Sequence, residues 1–412
     1  MLSSRPLLRL AYIVSHPIQY QAPLLRRIAA EPGIDLTVFF CSDFSTREYR
    51  DEGFGTSVKW DVPLTEGYRY VVLPRILETT SPAPTRPISF GFFRHFLRGV
   101  DGHRFDAVWV HGYATINALH AILAANLLGI PVLLRAEGWL RDRERSTSTL
   151  LLKKWFFALL RRGIDAALPI GTLNRQYWQH YFGPQFPLFD MPYAVDNERF
   201  QRLSRLAADG RELLRAELHL DPERPVILFA SKLQTRKHCD HLLQAYLDLR
   251  TEDGRDPYPY LVIVGDGEQR PALERMVQES GCTSVRFAGF QNQSQLPRYF
   301  DLSAVFVLPS KDEPWGLIVN EAMNAARAII VTDDVGSAPD LVQDGVNGRV
   351  YSFGDISALT AALLEIVGPH GSAEEMGAAS LQRIHEWSYE ADLRGLRNAL
   401  AYVTGRDAGE AL

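Results

Sequence analysis

Residues 304–322 read AVFVLPSKDEPWGLIVNEA, and the fold class follows from how that stretch changes character. Ala304 to Leu308 is a short apolar run, the composition of a strand buried on both faces of a parallel sheet. Pro309 to Pro314 is a polar loop, and from about Trp315 the apolar residues return at helical spacing. A loop between such a strand and helix lies at the carboxyl end of the sheet, where open α/β folds bind ligands. Pro314 fits the entry to the helix, where its missing N–H costs little. Gly316, Leu317 and Ile318 then present backbone N–H groups at the positive end of the helix dipole, which suits an anion. Glu313 in the loop and Glu321 along the helix are carboxylates able to accept charge-assisted hydrogen bonds, one from a diol and the other from a group beyond the anion. Taken alone, such a pair also reads as a capping and a solvated glutamate. Ala322-Met323 argues otherwise, because on a helix apolar on several sides an unpaired carboxylate is costly.

The same grammar runs outward in both directions. Upstream, Leu8 to Val14, Leu36 to Phe40, Ala107 to Val110, Val132 to Arg135 and Ala166 to Ile170 read as strands, with helices near Pro23 to Ala30 and Ala114 to Leu128. In the second half, Val226 to Ala230, Tyr260 to Val264, Val285 to Ala288 and Ala328 to Thr332 read as strands, with helices at Cys239 to Leu249 and Pro271 to Glu279. This alternation predicts an α/β chain of two Rossmann-like, doubly wound domains facing across a cleft. The expected division is 1–195, 196–385 and a C-terminal helix at 386–412 returning to the first domain. A chain of 412 residues supports two such cores.

Composition narrows the function. A formal charge of -5 argues against a general nucleic-acid binder. The 3 cysteines, Cys41, Cys239 and Cys282, are too few and scattered for a disulfide framework or a zinc site. No signal peptide and no apolar run long enough to span a bilayer is evident, so the expected location is the cytoplasm.

Six segments together resemble the retaining family 4 glycosyltransferases, which have the GT-B fold. Glu313 and Glu321 match the family's E-x7-E motif, and Ser231-Lys232-Leu233 with Lys237 resembles its G-R-L…K donor loop. Val264-Gly265-Asp266-Gly267 is similar to its G-x-G turn, and Phe287-Ala288-Gly289-Phe290 to its F-x-G loop near the base. Gly336 to Asp340 with Asp344-Gly345, and Pro192 to Phe200, resemble its G-G-x-x-E…D-G stretch and its hinge. The resemblance implies a glycosyltransferase whose Lys232 and Lys237 neutralise the donor diphosphate, with Glu321 on the ribose and Glu313 on the transferred sugar. It implies a UDP-sugar or GDP-sugar donor, no metal, and a glycan, lipid-linked or small-molecule acceptor.

Three departures stand out. Lys232 replaces an arginine, keeping the charge but losing the bidentate fork. The glycine-rich loop after the first strand is replaced by Ser15-His16-Pro17-Ile18-Gln19-Tyr20-Gln21. Glu137, in Arg135-Ala136-Glu137-Gly138, stands where many members carry histidine. His16, His111 and Glu137 each end a strand of the first domain, so all three are candidates for the acceptor side of the cleft, and Ser15 in the same loop as His16 is a candidate binding residue. For the histidines, capping or packing is an equal reading. Glu137 reads either as a group orienting the acceptor or sugar, or as a partner of Arg135 or Arg141.

Residues 88–98 (ISFGFFRHFLR) and 150–162 (LLLKKWFFALLRR) mix aromatic and basic residues. Each reads as a helix docked on the sheet with snorkelling basic ends, or as a peripheral contact with the inner face of a membrane. Rival functions are a dinucleotide-dependent oxidoreductase, a GT-B epimerase or phosphorylase, and a silent sugar-nucleotide-binding protein. The first lacks its glycine turn, since residues 15–21 contain no glycine.

Overall fold

The computed structural model describes residues 7–81, 83–141, 145–249 and 259–406. They form two compact units. One takes the residues through Tyr49, Val58–Tyr193 and those from Tyr389 on; the other takes Arg50–Ser57 and Ala194–Ser388. The expectation of an unbroken first domain over 1–195 is therefore corrected at 50–57, which belong to the second unit.

The first unit is built on β1 (Leu8–Val14), β2 (Ile34–Phe40), β3 (Arg69–Val72), β4 (Ala107–His111), β5 (Val132–Arg135) and β6 (Ala166–Ala167). They lie in the order β6-β5-β4-β1-β2-β3, all parallel. Both faces are covered, which is why the strands are largely apolar runs. Along β1, Ala11 and Ile13 enter a core with Ala121, Phe157 and Trp178, while Leu10, Tyr12 and Val14 enter the opposite core with Leu393 and Leu396. That second core is closed by the helix Tyr389–Thr404. Gly395 on this helix lies so close to the Asp190 carbonyl oxygen that a Cβ would overlap it. At the start of the helix Asp392, fully buried, accepts a 3.2 Å hydrogen bond from Arg135.

The second unit repeats the plan with β7 (Val226–Ala230), β8 (Tyr260–Val264), β9 (Val285–Gly289), β10 (Val305–Leu308), β11 (Ala328–Thr332) and β12 (Gly348–Tyr351). The order is β9-β8-β7-β10-β11-β12, again all parallel. In each sheet the direction of winding reverses at its centre, beside β1 and beside β7. The carboxyl ends there are the places where such sheets bind ligands.

Two local expectations are corrected. The helix after β10 spans Leu317–Asn324, and Gly316 before it has φ 87, in the left-handed region. Pro314 therefore lies in the loop, short of the helix. The loop is held out by bonds to the segment after β11: Glu313 N–H donates to Asp334 O at 3.1 Å, and Gly336 N–H to Glu313 O at 2.8 Å. The strand expected over Ala166 to Ile170 is only Ala166–Ala167, with Ala167 pairing with Leu134 on one side and bridging to Leu188 on the other.

Candidate active site

In the second unit the loops after β7, β8, β9 and β10 carry the predicted residues. Lys237 ends a 3₁₀ turn, Thr235–Lys237, and is buried. Its ammonium bonds to the Glu313 carboxylate, which also accepts from Arg236 Nη1 at 3.2 Å. Burial pushes the Lys237 pKa down, and although Glu313 opposes this, the charges of Arg236 and Lys232 help hold it below the ordinary lysine value. Lys232 Nζ donates to Asp51 at 2.7 and 2.9 Å. The loops support one another: Leu233 N–H donates to Asp266 O at 2.9 Å, and a Cβ on Gly267 would lie 2.7 Å from Leu233 O. Gly316 adjoins Glu313, since a Cβ on it would lie 3.5 Å from the Glu313 Cγ. Phe290 meets the ring of Phe54 at 4.7 Å between centroids. The structure thus brings Lys237, Glu313 and Gly316 together and adds Arg236, Asp51 and Phe54, which the sequence reading missed. Arg236 was within reach of that reading, being adjacent to Lys237. Asp51 and Phe54, far away in sequence, had no local signal.

Glu321 stands apart from that cluster, on the helix Leu317–Asn324 behind Leu317 and Ile318. It is 6% exposed, and its Oε2 has no hydrogen-bond partner among the described residues. Burial raises its pKa from 4.5 to about 8, with Arg199 opposing. A carboxyl with a raised folded pKa binds its proton more tightly folded than unfolded, so its contribution to stability is complete below about pH 4.5 and is lost as pH rises through about 8. Glu321→Gln, which cannot ionise, should therefore melt close to wild type at about pH 5 and several degrees above it at about pH 9. Thermal melts across that range check this; parallel curves would mean Glu321 does not hold a proton on folding.

In the first unit a polar network gathers at the ends of β1, β4 and β5. Ser15 Oγ lies 2.9 Å from His16 Nδ1, and the His16 ring packs on Phe44 at 4.6 Å. Burial, with a smaller effect of His111, lowers the His16 pKa to about 4, so its ring is neutral near pH 7. Gln21 links Tyr12 Oη, at 2.8 Å, to His111 Nε2, at 3.0 Å. His111 Nε2 lies 3.9 Å from Glu137 Oε1, and the Tyr193 hydroxyl donates to the same oxygen. Burial pushes the Glu137 pKa up, but His111, Tyr193 and Arg135 outweigh it and hold it below the usual carboxylate value. The carboxylate stays charged, with 35% of its side chain exposed. Neither arginine is its partner as the alternative reading expected. Arg135 turns to Asp392 and the Met191 and Pro192 carbonyls, and Arg141 lies over the Trp139 ring at 5.6 Å.

Among the described residues one group offers metal-ligating atoms within 4.8 Å of one another, namely His238, Asp240 and His241. It follows Lys237 directly, and His238 has φ 46. The sequence reading saw no such cluster. Both rings pack on Phe353, and burial, with the neighbouring His241 ring, holds the His238 pKa below the ordinary histidine value although Asp240 opposes this.

Two doubly wound parallel sheets, each with its polar residues at the carboxyl ends of the strands, define the GT-B class. The Anabaena protein HepE, solved in complex with UDP, superposes with a TM-score of 0.70 at 17% identity, covering 96% of this chain and 100% of that one. The chain belongs to the glycosyl transferases of group 1, whose family model matches residues 210–383, and it is a glycosyltransferase. The alpha-maltose-1-phosphate synthase of Mycobacterium tuberculosis is 32% identical over 310 residues, 69% of this chain and 77% of that protein. A GDP-mannose-dependent alpha-(1-6)-phosphatidylinositol monomannoside mannosyltransferase of Mycolicibacterium smegmatis is 27% identical over 353 residues, 84% of this chain and 86% of its own.

Proposed function

We propose that the chain is a retaining, metal-independent enzyme moving a hexose-type sugar from a nucleoside-diphosphate sugar to an acceptor hydroxyl. The observation that carries this reading is Glu321: a buried carboxyl with a partnerless oxygen, at the winding reversal of the second sheet, matched to the ribose diol. Lys232, Lys237 and Arg236 supply the fixed positive charge that a departing diphosphate needs, the task a metal would otherwise perform. Glu313, held by Lys237 and Arg236, is the group for the transferred sugar. In the reaction the bond from the anomeric carbon to the phosphate oxygen breaks. The acceptor oxygen bonds to that carbon on the same face, and its proton passes to the leaving phosphate.

The donor nucleotide is UDP or GDP, the two that the HepE structure and the mannosyltransferase relative carry in their descriptions. A thermal-shift panel of UDP, GDP, ADP and TDP tests the reading. At about a hundred times its Kd the preferred nucleotide stabilises by about 2.7 kcal/mol. No shift with any of the four sinks the donor site, and transfer abolished by EDTA sinks the metal-free chemistry.

For the acceptor side we assign Glu137, with Ser15, His16 and His111 around it. Glu137→Gln should slow transfer while leaving nucleoside diphosphate binding intact, because the nucleotide set lies wholly in the second unit. Equal loss of both in calorimetry and turnover assays would count against this.

The acceptor is a glycan, lipid-linked or small-molecule hydroxyl, and peripheral membrane contact is supported by the outer faces of two helices. On Phe92–Arg98 and Thr147–Leu160, Phe93, Leu97, Leu151, Leu152, Trp155 and Leu159 are exposed, and neither helix carries an acidic residue. Lys153 turns inward over the Tyr177 ring at 4.7 Å, leaving Arg94, Arg98, Lys154, Arg161 and Arg162 for lipid phosphates. Sedimentation with phosphatidylglycerol vesicles should fall strongly in a Leu152→Glu, Trp155→Glu variant; equal binding refutes this contact.

A further inference from the structure

The hairpin of Tyr49–Asp51 and Thr56–Val58 comes from between strands of the first unit, yet its tip is part of the second. Asp51 accepts from Lys232 Nζ through both oxygens, and its Oδ1 also accepts from Gly53 N at 2.9 Å and Phe54 N at 3.0 Å. The two amide bonds fix the carboxylate before the lysine arrives. Lys232 Nζ lies 4.7 Å from the centre of the Phe54 ring, whose edge contacts are with Phe290. Gly53 lies against the lysine stem, since a Cβ there would be 2.7 Å from Lys232 Cδ. A Cβ on Gly267 would lie 3.0 Å from the Gly53 carbonyl oxygen. The hairpin tip therefore touches the loops after β7, β8 and β9, three of the four that carry the proposed donor site.

An ammonium has three N–H donors and no acceptor. At Lys232 two of them face Asp51, so a diphosphate oxygen that needs this lysine meets a carboxylate already in place. Around the site, Lys232, Arg236 and Lys237 stand against Asp51 and Glu313: three positive charges and two negative, a net of +1. Taking Asp51 away doubles that surplus. Asp51 is held in its charged form, because Lys232 and the two amides outweigh the effect of burial and keep its pKa below the ordinary value.

We propose that Asp51 is the resident counter-ion of the donor site, which the diphosphate must displace from Lys232, so that Asp51 sets both the affinity and the charge selectivity of the site. The inference rests on the donor assignment of Lys232 and goes beyond it by naming the competing group. Entry by a doubly charged diphosphate exchanges one salt bridge for a stronger one. A singly charged anion gains little from the same exchange and is turned away.

The test is calorimetry on the full chain with UDP, GDP and inorganic pyrophosphate as probes, comparing wild type with Asp51→Asn. The amide oxygen of asparagine still accepts from Gly53 and Phe54, so the hairpin keeps its turn, and a melt confirms that it folds. Asp51→Asn should bind pyrophosphate and the preferred nucleotide about ten-fold more tightly, equivalent to about 1.4 kcal/mol. Its affinity should fall more steeply with salt. In a Lys232→Met background the same change should have a much smaller effect, because the displaced bridge no longer exists and only the change in net charge remains. Unchanged affinity in Asp51→Asn overturns the proposal. So does weaker affinity, which would make Asp51 a positioning residue for Lys232. If wild type binds none of the three probes, the donor assignment itself falls, whereas tight wild-type binding with no gain in Asp51→Asn removes only the counter-ion.

Discussion

Replacing Lys237 by alanine is expected to lower turnover by about 10²–10³ at saturating donor, the usual cost of removing one fixed charge from a developing anion. Lys237 is 7% exposed and bonds to Glu313, so its ammonium is held within the site by burial and by a carboxylate. An ammonium fixed in this way need not reorganise as the leaving group gathers charge. Glu313 keeps Arg236 at 3.2 Å in the variant, so the glutamate is not left buried and unpaired. Folding should suffer less than catalysis for that reason. Initial rates of donor consumption, set beside thermal melts, separate the two effects. Turnover equal to wild type would remove Lys237 from the reaction.

The second large effect is on stability. Asp392→Ala should destabilise the first unit by about 3–5 kcal/mol, the range for breaking a buried ion pair by removing one partner. Arg135 is 2% exposed and Asp392 fully buried, so the guanidinium would lose its carboxylate and keep the Met191 and Pro192 carbonyls and the Tyr193 ring. The pair is not comfortable even when intact. Burial pushes the Asp392 pKa up to about 7 despite Arg135, and Asp392 Oδ2 and Arg135 Nε have no hydrogen-bond partners among the described residues. Replacing both by apolar residues, Arg135→Met with Asp392→Leu, should therefore recover much of the loss. Urea denaturation of the single and double variants checks both statements. A single variant as stable as wild type would show that the pair does not hold the last helix.

Central strands such as Leu8–Val14, Val226–Ala230 and Ala328–Thr332 were legible because burial on both faces leaves them almost wholly apolar, with Arg9 the one charged residue among them. Arg69–Val72 and Gly348–Tyr351 were missed for the opposite reason: both are edge strands of four residues that carry an arginine and are buried only in part. At the candidate site, the strand-loop-helix pattern placed Lys237 and Glu313 in loops and Glu321 on a helix, and the structure has them there. Partners were not legible. Arg135 was an obvious candidate to neutralise Glu137 two positions on, yet its side chain reaches Asp392. Asp51 finds Lys232 through a hairpin that leaves one sheet's unit for the other, and no local pattern encodes that.

The helix Tyr389–Thr404 has a consequence for synthesis. It supplies Leu393, Leu396, Ala399 and Leu400 to a core whose other walls include Leu10, Tyr12 and Trp109. While the chain emerges from the ribosome, the first sheet can form with one face covered, but on its other face Leu24, Leu25 and Ile28 cover only a part, and the rest waits for nearly the whole sequence to be read. The second unit has its strands in one continuous stretch and can finish first. The order of completion is thus the reverse of the order of translation, and during that interval the apolar face behind Tyr12 and Trp109 is the part of the nascent chain most in need of a chaperone.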